Sequence, residues 1–312
     1  MTYTHIPVMP AEVTEYMNLM PGKIYVDCTM GGAGHSEIIV KNIIPDGIMI
    51  GIDQDADAIE NARKILKKYK TNIRLFHKNF IYLPEILSQL NIDSVDGILL
   101  DLGLSLHHFE ESGRGFSFKK DEPLDMRMNT QSDTMAKDII NNSQEKELAK
   151  IFFEFGEERR SRLIARNIVR ERENNPIRTS RQLADIILNS LPKKALYNQK
   201  IHPATRVFMA LRIAVNSELE RLDFFMKKVA DLLNPGGRLC VISFHSLEDR
   251  IVKHSIRAME HVCSCPPDFP ECVCGNKKIF RSLFRKGLTP TEEEIERNPM
   301  SRSARLRIAE RL

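Results

Sequence analysis

Two neighbouring apolar runs, each leading into small or acidic residues, constrain the fold of this chain most strongly. The first run, residues 24–30, opens into Gly31-Gly-Ala-Gly-His35, and the second, residues 48–53, ends in Gly51-Ile-Asp53. Glycine lets the backbone approach a ligand closely because it carries no Cβ. An acid at the end of the second run can accept hydrogen bonds from both hydroxyls of a ribose. The pair predicts a site for a nucleotide-like ligand, although glycines that only form a turn would look the same.

The glycine pattern also discriminates between ligands. Gly32-Ala-Gly34 supplies a G-x-G, but Glu37 stands where dinucleotide-binding proteins carry a third glycine. A carboxylate at that position would face the pyrophosphate of a dinucleotide, and two anions repel each other. The pattern therefore disfavours a nicotinamide-dependent dehydrogenase. A ligand with a ribose but no phosphates fits better, and S-adenosylmethionine is the common one.

Apolar runs that alternate with amphipathic helical patterns predict a parallel α/β sheet. The predicted strands are residues 24–30, 48–53, 73–77, 95–102 and 237–244. In such sheets ligands bind beyond the carboxyl ends of the strands. The candidate residues follow predicted strand ends, namely the glycine turn, Asp53, Asn79-Phe80, Asp101 and residues 243–249. We therefore expect them to meet at one edge of the sheet.

The interval between the fourth and fifth predicted strands is too long for one crossover helix and predicts an inserted domain. We expect residues 1–110 and 206–312 to form the sheet domain and residues 111–205 to form a helical insertion. The window 159–212 carries thirteen Lys or Arg against three acids, a net charge of +10, whereas the whole chain carries +4. Such an imbalance favours a polyanionic partner such as nucleic acid over a merely solvated surface.

The composition is that of an ordinary globular protein, with 42% hydrophobic and 28% charged residues in 312. No apolar run approaches the length of a membrane span, and no secretory signal is evident at the start. We expect a cytoplasmic protein without a membrane partner.

Cys28 and Cys240 fall in apolar runs and are expected to be small core residues. The oligomeric state is left open, with a homodimer as one option.

Asp101-Leu-Gly-Leu-Ser105 follows the fourth predicted strand, near the expected position of the methyl group to be transferred. Methyl transfer to the exocyclic amine of a base such as cytosine would require an acceptor at this place. The amine lone pair is delocalised into the ring, and acceptors on the two N–H groups localise that pair on nitrogen and can take the proton. Amine methyltransferases often add two prolines and an aromatic after this acid, and this chain lacks them. Asp101 is the candidate catalytic residue. The alternatives are that it contacts the cofactor or only caps a turn.

Aromatic residues near the other strand ends have two interpretations each. Phe80 is placed to pack on an adenine ring or to be an ordinary core phenylalanine. His35 is expected either to open a helix after the glycine turn, with its backbone at the amino-acid end of the cofactor, or to be a surface histidine. His107-His108, Phe116 and Phe118 lie on the chain leaving the fourth strand, where they predict either a lid that stacks on a flipped base or a hydrophobic anchor.

Two further motifs lie towards the end of the chain. His245 and Ser246 follow the fifth strand, where they predict base or phosphate contacts, or a helix start with Ser246 as its N-cap. A C-x-C…C-x-C pattern has zinc-ligand character but tighter spacing than most zinc ribbons, so reduced thiols or a disulfide are equally open interpretations. Its members are Cys263, Cys265, Cys272 and Cys274.

Long motifs in a fixed order extend these patterns over nearly the whole chain. They are His5-Ile-Pro-Val-Met9, Asp27-Cys-Thr-Met-Gly-Gly-Ala-Gly-His35, Gly51-Ile-Asp53, Asp101-Leu-Gly-Leu-Ser105, Gly115-Phe-Ser-Phe118, Leu124-Asp-Met-Arg127, His202-Pro-Ala-Thr-Arg206, Phe208-Met-Ala-Leu-Arg212, Ser243-Phe-His-Ser-Leu-Glu-Asp249 and Ser301-Arg-Ser-Ala-Arg-Leu-Arg-Ile-Ala309. This combination closely resembles the bacterial small-subunit ribosomal RNA cytosine-N(4) methyltransferases.

The resemblance implies a Rossmann-like class I methyltransferase sheet with an inserted helical domain. It also implies methyl transfer from S-adenosylmethionine to the 4-amino group of a cytosine in the decoding region of 16S RNA, with 16S rRNA or the small ribosomal subunit as partner. Carried over by motif position, the cofactor contacts are Ala33, Gly34, His35, Asp53, Phe80, Asp101 and His108. No metal is assigned. A DNA amine methyltransferase and a non-enzymatic RNA-binding assembly factor are the rival functions.

Overall fold

The computed structural model describes residues 6–192, 201–260, 265, 274 and 277–312. They form two compact units. The sheet unit contains the chain up to Gly103 together with Leu219–Leu312, and the helical unit is Leu104–Glu218. The predicted insertion, residues 111–205, falls within the helical unit. Among the described residues, no helix is long and apolar enough to cross a bilayer.

The sheet unit is built on a seven-stranded sheet in the order β3-β2-β1-β4-β5-β7-β6. The strands are β1 (Ile24–Asp27), β2 (Ile48–Asp53), β3 (Ile73–His77), β4 (Val95–Asp101), β5 (Leu233–Ser243), β6 (Phe280–Ser282) and β7 (Arg305–Arg311). The first five are parallel, whereas β7 runs antiparallel to both β5 and β6. The predicted parallel α/β sheet is confirmed, and the two antiparallel strands extend it.

Thirteen helices are assigned in the part of the chain that the structure describes. They are α1 (Pro10–Tyr16), α2 (Gly34–Ile43), α3 (Ala56–Ile65), α4 (Leu83–Gln89), α5 (Leu106–Glu110), α6 (Ala136–Asn142), α7 (Glu145–Glu154), α8 (Ser161–Asn174), α9 (Ser180–Asn189), α10 (Ala204–Asn216), α11 (Glu218–Met226), α12 (Ser246–Glu260) and α13 (Glu292–Arg297). Helices α5 to α10 belong to the helical unit.

Both faces of the sheet are buried, which explains why its strands appear in the sequence as continuous apolar runs. Successive residues of a strand point to opposite faces. On β4, Ile98 and Leu100 therefore enter one core cluster while Leu99 enters the other. The first cluster includes Phe225 of α11, and the second includes Ile39 of α2. Helices thus cover the sheet on both sides.

The helical unit has a core of its own, in which four successive helices each bury a large side chain. These are Phe152, Ile164, Leu183 and Leu211, on α7 to α10. At the end of α10, the Asn216 Nδ2 donates to the Met126 carbonyl at 2.8 Å, and its Oδ1 accepts from the Met128 amide at 2.8 Å. The loop before α6 is thereby tied to the end of α10.

The start of β5 differs from the prediction. The predicted fifth strand, residues 237–244, begins later than the observed one, since β5 starts at Leu233 and includes Asn234-Pro-Gly-Gly237. The pairing with β4 shifts between Val95 and Gly97, so the extra residues form a bulge. Pro235 and Gly236 are exposed there. A proline is tolerated at such a point because no ladder hydrogen bond is required of its nitrogen.

Candidate active site

Three neighbouring strands of the sheet end in aspartates. Asp27 ends β1, Asp53 ends β2 and Asp101 ends β4. Because these strands are parallel, their carboxyl ends lie along one edge of the sheet. This edge, defined by the three aspartates, is called the acidic edge below. It is the edge at which the sequence predicted the candidate residues to meet.

The glycine turn after β1 is held to the acidic edge by backbone and side-chain hydrogen bonds. Ala33 adopts a left-handed conformation (φ 62°) as the N-cap residue of α2, which starts at Gly34. A Cβ on Gly34 would lie 2.9 Å from Cδ of Pro7, so only glycine fits there without a shift. On α2, the Ser36 hydroxyl donates to an oxygen of the buried Asp27 at 2.5 Å. The turn is therefore fixed against the strand ends.

The Asp53 carboxylate joins the glycine turn to the end of β2. Its Oδ2 accepts from the Gly31 amide at 2.8 Å, and its Oδ1 accepts from the Asp55 amide at 2.9 Å. Each carboxylate oxygen has a second lone pair available for a ligand. Burial raises the pKa of Asp53 to about 7, with smaller contributions from Asp55 and Asp27, against the opposing effect of the two backbone hydrogen bonds.

Of the three aspartates of the acidic edge, Asp101 accepts the fewest hydrogen bonds on its carboxyl oxygens. Its amide donates to the Thr29 hydroxyl at 2.7 Å, and its Oδ2 lies 3.6 Å from Nε2 of His35. Its Oδ1 is buried and receives no hydrogen bond from any residue that the structure describes. Burial, followed by the charges of Asp27 and Glu248, raises the pKa of Asp101 well above its usual range. Native proteins rarely leave a buried acceptor without a donor, so Oδ1 of Asp101 is a candidate ligand contact.

Glu248 is a fourth acid near the acidic edge, and its negative charge helps to raise the pKa of Asp101, a role that no sequence pattern indicated. It is almost fully buried, and its Oε2 accepts from the amides of Phe244 at 2.8 Å and His245 at 3.3 Å. Helix α12 begins at Ser246, which confirms the predicted helix start after β5, and Ser246 as its N-cap stays a prediction. The Glu248 carboxylate, three residues after His245, reaches back to the His245 amide as in a capping box.

Phe80 lies in the core of the sheet unit. It is 9% exposed, and its ring meets that of Phe225 edge to face, with centroids 5.2 Å apart. Both phenylalanines belong to the core cluster that covers one face of the sheet. This packing fits the interpretation of Phe80 as a core residue, and a cofactor contact through its remaining surface stays a prediction.

His108 and the two loop phenylalanines belong to the helical unit. The Nδ1 of His108 lies 2.9 Å from the Ser105 hydroxyl and accepts from the Ser105 amide at 3.2 Å. Phe116 is buried beside His108 in the core of this unit, and Phe118 stacks on His202 with ring centroids 4.4 Å apart. These contacts fit the alternative in which the phenylalanines are hydrophobic anchors. The cofactor contact of His108 stays a prediction.

The cysteines divide into two groups. Cys28 and Cys240 are buried in the sheet unit, as predicted. Of the C-x-C…C-x-C pattern, Cys263 and Cys272 lie outside the described residues. Within the described residues, no group of three or more His, Cys, Asp or Glu side chains is arranged to hold a metal ion.

The acids of the acidic edge should make the unliganded protein less stable as the pH rises. The pKa of Asp27 is raised to about 6, chiefly by burial, and that of Asp53 to about 7. Between about pH 4 and pH 7 the folded chain therefore holds protons that the unfolded chain has released, and the free energy of unfolding falls with pH. Relative to Asp53→Asn, wild type should lose about 2–4 kcal/mol across this window. Urea denaturation at a series of pH values measures the difference, and parallel profiles for the two proteins would contradict it.

The strand order, the glycine turn after β1 and the acids that end β2 and β4 define a class of enzyme. They are the features of class I methyltransferases, whose methyl donor is S-adenosylmethionine. Residues 2–312 match the MraW methylase family, and the chain belongs to that family. The family resemblance drawn from the motifs is confirmed.

Several curated proteins are similar to the chain over its whole length. Ribosomal RNA small subunit methyltransferase H of Desulforapulum autotrophicum is 54% identical over 312 residues, which is 100% of each chain. The proteins of the same name from Desulfosudis oleivorans and Clostridioides difficile are 50% and 44% identical, again over 100% of each chain.

Proposed function

We propose that the protein transfers a methyl group from S-adenosylmethionine to the exocyclic 4-amino group of a cytosine in the decoding region of 16S rRNA. The buried Oδ1 of Asp101, which no described residue engages, is the observation that carries the proposal. It offers an acceptor for an amine N–H at the carboxyl end of β4. The names of the relatives support a small-subunit RNA substrate, and the cytosine amine is what the motif resemblance implies.

We assign cofactor-binding roles to the acidic edge and its glycine turn. Ala33, Gly34 and His35 are proposed to hold the amino-acid end, Asp53 to accept from the ribose hydroxyls and Phe80 to contact the adenine. The free lone pairs of Asp53 and its fixation by two amides support this assignment. When bound, S-adenosylmethionine supplies an electrophilic methyl group on a positively charged sulfur.

The chemistry of Asp101 follows from its surroundings. In the unliganded chain, burial and two neighbouring acids favour its neutral form. A positive charge nearby favours the carboxylate instead. Once ionised, Asp101 accepts a hydrogen bond from the amine, concentrates the lone pair on nitrogen and can take up the departing proton. His35, whose Nε2 lies 3.6 Å from Oδ2, orients the carboxyl group.

The helical unit presents a basic surface suited to RNA. On α8, Ile164 and Ile168 face the core, while Arg162, Arg166 and Arg170 recur at four-residue spacing on the exposed face. Arg166 and Arg170 are each about 70% exposed, and their ion pairs with Glu145 and Glu171 span 3.8 and 3.2 Å. Such exposed pairs contribute little, so these arginines remain available to phosphates.

Phe80→Ala tests whether this ring holds the cofactor in addition to filling the core. We expect a loss of about 3–5 kcal/mol in the free energy of unfolding, the usual result of truncating a buried phenylalanine. If Phe80 contacts the adenine, the dissociation constant for S-adenosylmethionine should also rise about tenfold, as for one lost ring contact. Phe225→Ala, its packing partner, is the matched control and should lose similar stability without the change in affinity. Equal cofactor affinity in both variants would leave Phe80 as a core residue only.

The proposed reaction is tested with labelled S-adenosylmethionine and 30S subunits that lack the modification, followed by nuclease digestion of the RNA. We expect 4-methylcytidine as the labelled product. Competition with single-stranded DNA separates an RNA methyltransferase from one acting on DNA. Tight cofactor binding without transfer to subunits or to naked 16S rRNA would overturn the proposal in favour of an assembly factor or another substrate.

A further inference from the structure

A cleft in the sheet unit lies beside α12, β6 and β7, and four of its nine described lining residues are cations. Its volume is about 390 Å³. The side chains that define it are Lys253 and Arg257 of α12, Ser282, Phe284 and Arg285 from β6 and the residues after it, and Arg307 of β7. We call it the basic cleft. All of these residues belong to the sheet unit.

Most of the positive charge in the basic cleft is available to a ligand. Among the residues that the structure describes, Lys253, Arg257 and Arg285 have no carboxylate partner within 4 Å. Arg307 is different, since its Nε and Nη2 donate to the Asp249 carboxylate at 2.6 and 2.9 Å. Among the described lining residues Glu260 is the acid, and it accepts from the Ser282 amide at 2.5 Å while keeping its charge. Within the described lining, three cations outside ion pairs therefore outweigh one carboxylate.

The basic cleft is distinct from the acidic edge. Helix α12 begins at Ser246, directly after the carboxyl end of β5, and leads away from that edge. Lys253 and Arg257, four residues apart on one helix face, lie seven and eleven residues beyond that start. At 1.5 Å per residue this is about 10–16 Å along the helix. A ligand that reaches both places must be extended.

Guanidinium and ammonium groups around a cleft select phosphate oxygens, because arginine presents several donors in a planar fork and lysine a compact charge. The Ser282 side chain adds a hydroxyl to the lining, and Phe284 an aromatic ring. We propose that the basic cleft binds phosphates of the RNA substrate, away from the base that is methylated. This inference rests on the proposed function in taking RNA as the substrate.

The test is the affinity of the full chain for a 16S rRNA fragment, measured by filter binding over a series of KCl concentrations. We use the double variant R257A/R285A, since both side chains are exposed and neither is in an ion pair with a described residue. We expect its affinity to fall about tenfold. We also expect the slope of log affinity against log salt to be shallower by about 1.5, as for the loss of two phosphate contacts. The dissociation constant for S-adenosylmethionine and the Tm should not change.

K67A/K70A is the matched control, because it removes two cations beside α3, outside the cleft, and should leave the salt slope unchanged. An unchanged slope in R257A/R285A, or an equal change in the control, would overturn the proposal. ATP as a second probe distinguishes the source of the phosphate. Loss of ATP binding with RNA affinity intact would assign the cleft to free nucleotides and also overturn it. Because the readout is RNA binding, failure of methylation alone would affect the proposed function and not the cleft.

Discussion

Asp101→Asn is expected to lower kcat for methyl transfer by about 10²–10⁴-fold, the range contributed by a positioned acid or base. The change keeps the size of the side chain but removes the charge that localises the amine lone pair and the site that takes the proton. Burial, with Asp27 and Glu248, raises the pKa of Asp101. In wild type, log kcat/KM, which reports the free enzyme, should therefore rise with pH until this group is ionised, and the variant should lose that dependence. Single-turnover rates at saturating cofactor and RNA measure the loss in kcat, and rates at limiting cofactor over a series of pH values measure kcat/KM.

Asp93→Asn is the matched control for Asp101→Asn. It removes an exposed carboxyl group two residues before β4, at the opposite end of the strand that carries Asp101. We expect its kcat and pH profile to match wild type. Normal turnover in Asp101→Asn would show that this residue is not the proton acceptor, and a purely altered affinity for S-adenosylmethionine would make it a cofactor contact only.

Asp53→Ala is expected to raise the dissociation constant for S-adenosylmethionine by about 10²-fold or more. Two hydrogen bonds from ribose hydroxyls to a carboxylate would be lost, and bonds to charged groups contribute about 1.5–3 kcal/mol each. The Gly31 and Asp55 amides would lose their acceptor as well, so the glycine turn would be less firmly held. Calorimetric titration measures the affinity, and Asp53→Asn, which keeps one acceptor oxygen, should fall between wild type and Asp53→Ala.

Asp55→Ala separates the loss of the ribose acceptor from a general weakening of the turn between β2 and α3. Asp55 is the N-cap residue of α3 and accepts from the Asp57 amide at 3.1 Å. Removing this cap should reduce the free energy of unfolding by about 1 kcal/mol. Cofactor affinity should change much less than in Asp53→Ala. Equal losses of affinity in the two variants would contradict a direct role for Asp53.

Strands β1, β2, β4 and β5 could be predicted from sequence because most of their residues are buried and they therefore appear as apolar runs, whereas β3, at the edge of the sheet, is only partly buried. Residues 48–53 and 73–77 coincide with β2 and β3. Strand β7 was not predicted, because Arg305, Arg307 and Glu310 interrupt its apolar residues and leave no continuous apolar run. The reason these charges are tolerated is visible only in three dimensions, since Arg307 pairs with Asp249 of α12 and Glu310 with Arg238 of β5.

The location of the site could be predicted from the sequence, whereas most contacts between its side chains could not. Asp53 and Asp101 end parallel strands, so their placement at one edge follows from topology alone. The 3.6 Å approach of His35 to Asp101 depends on how α2 leaves the glycine turn, which no local pattern specifies. The effect of Glu248 on the pKa of Asp101 likewise depends on where α12 begins. Asp27 was overlooked as a site residue although it ends its strand as the other two aspartates do.

The acids of the acidic edge couple the binding of a cationic ligand to the release of protons. Acids with raised pKa values retain protons near neutral pH, and a cationic ligand favours their release because it stabilises the charged carboxylates. We expect binding of the sulfonium donor to release protons, which titrations in buffers of different ionisation enthalpy would detect. The demethylated product is a neutral sulfide and would not compensate these charges. The same acids would then bind the donor more tightly than the product and favour exchange of spent product for fresh donor.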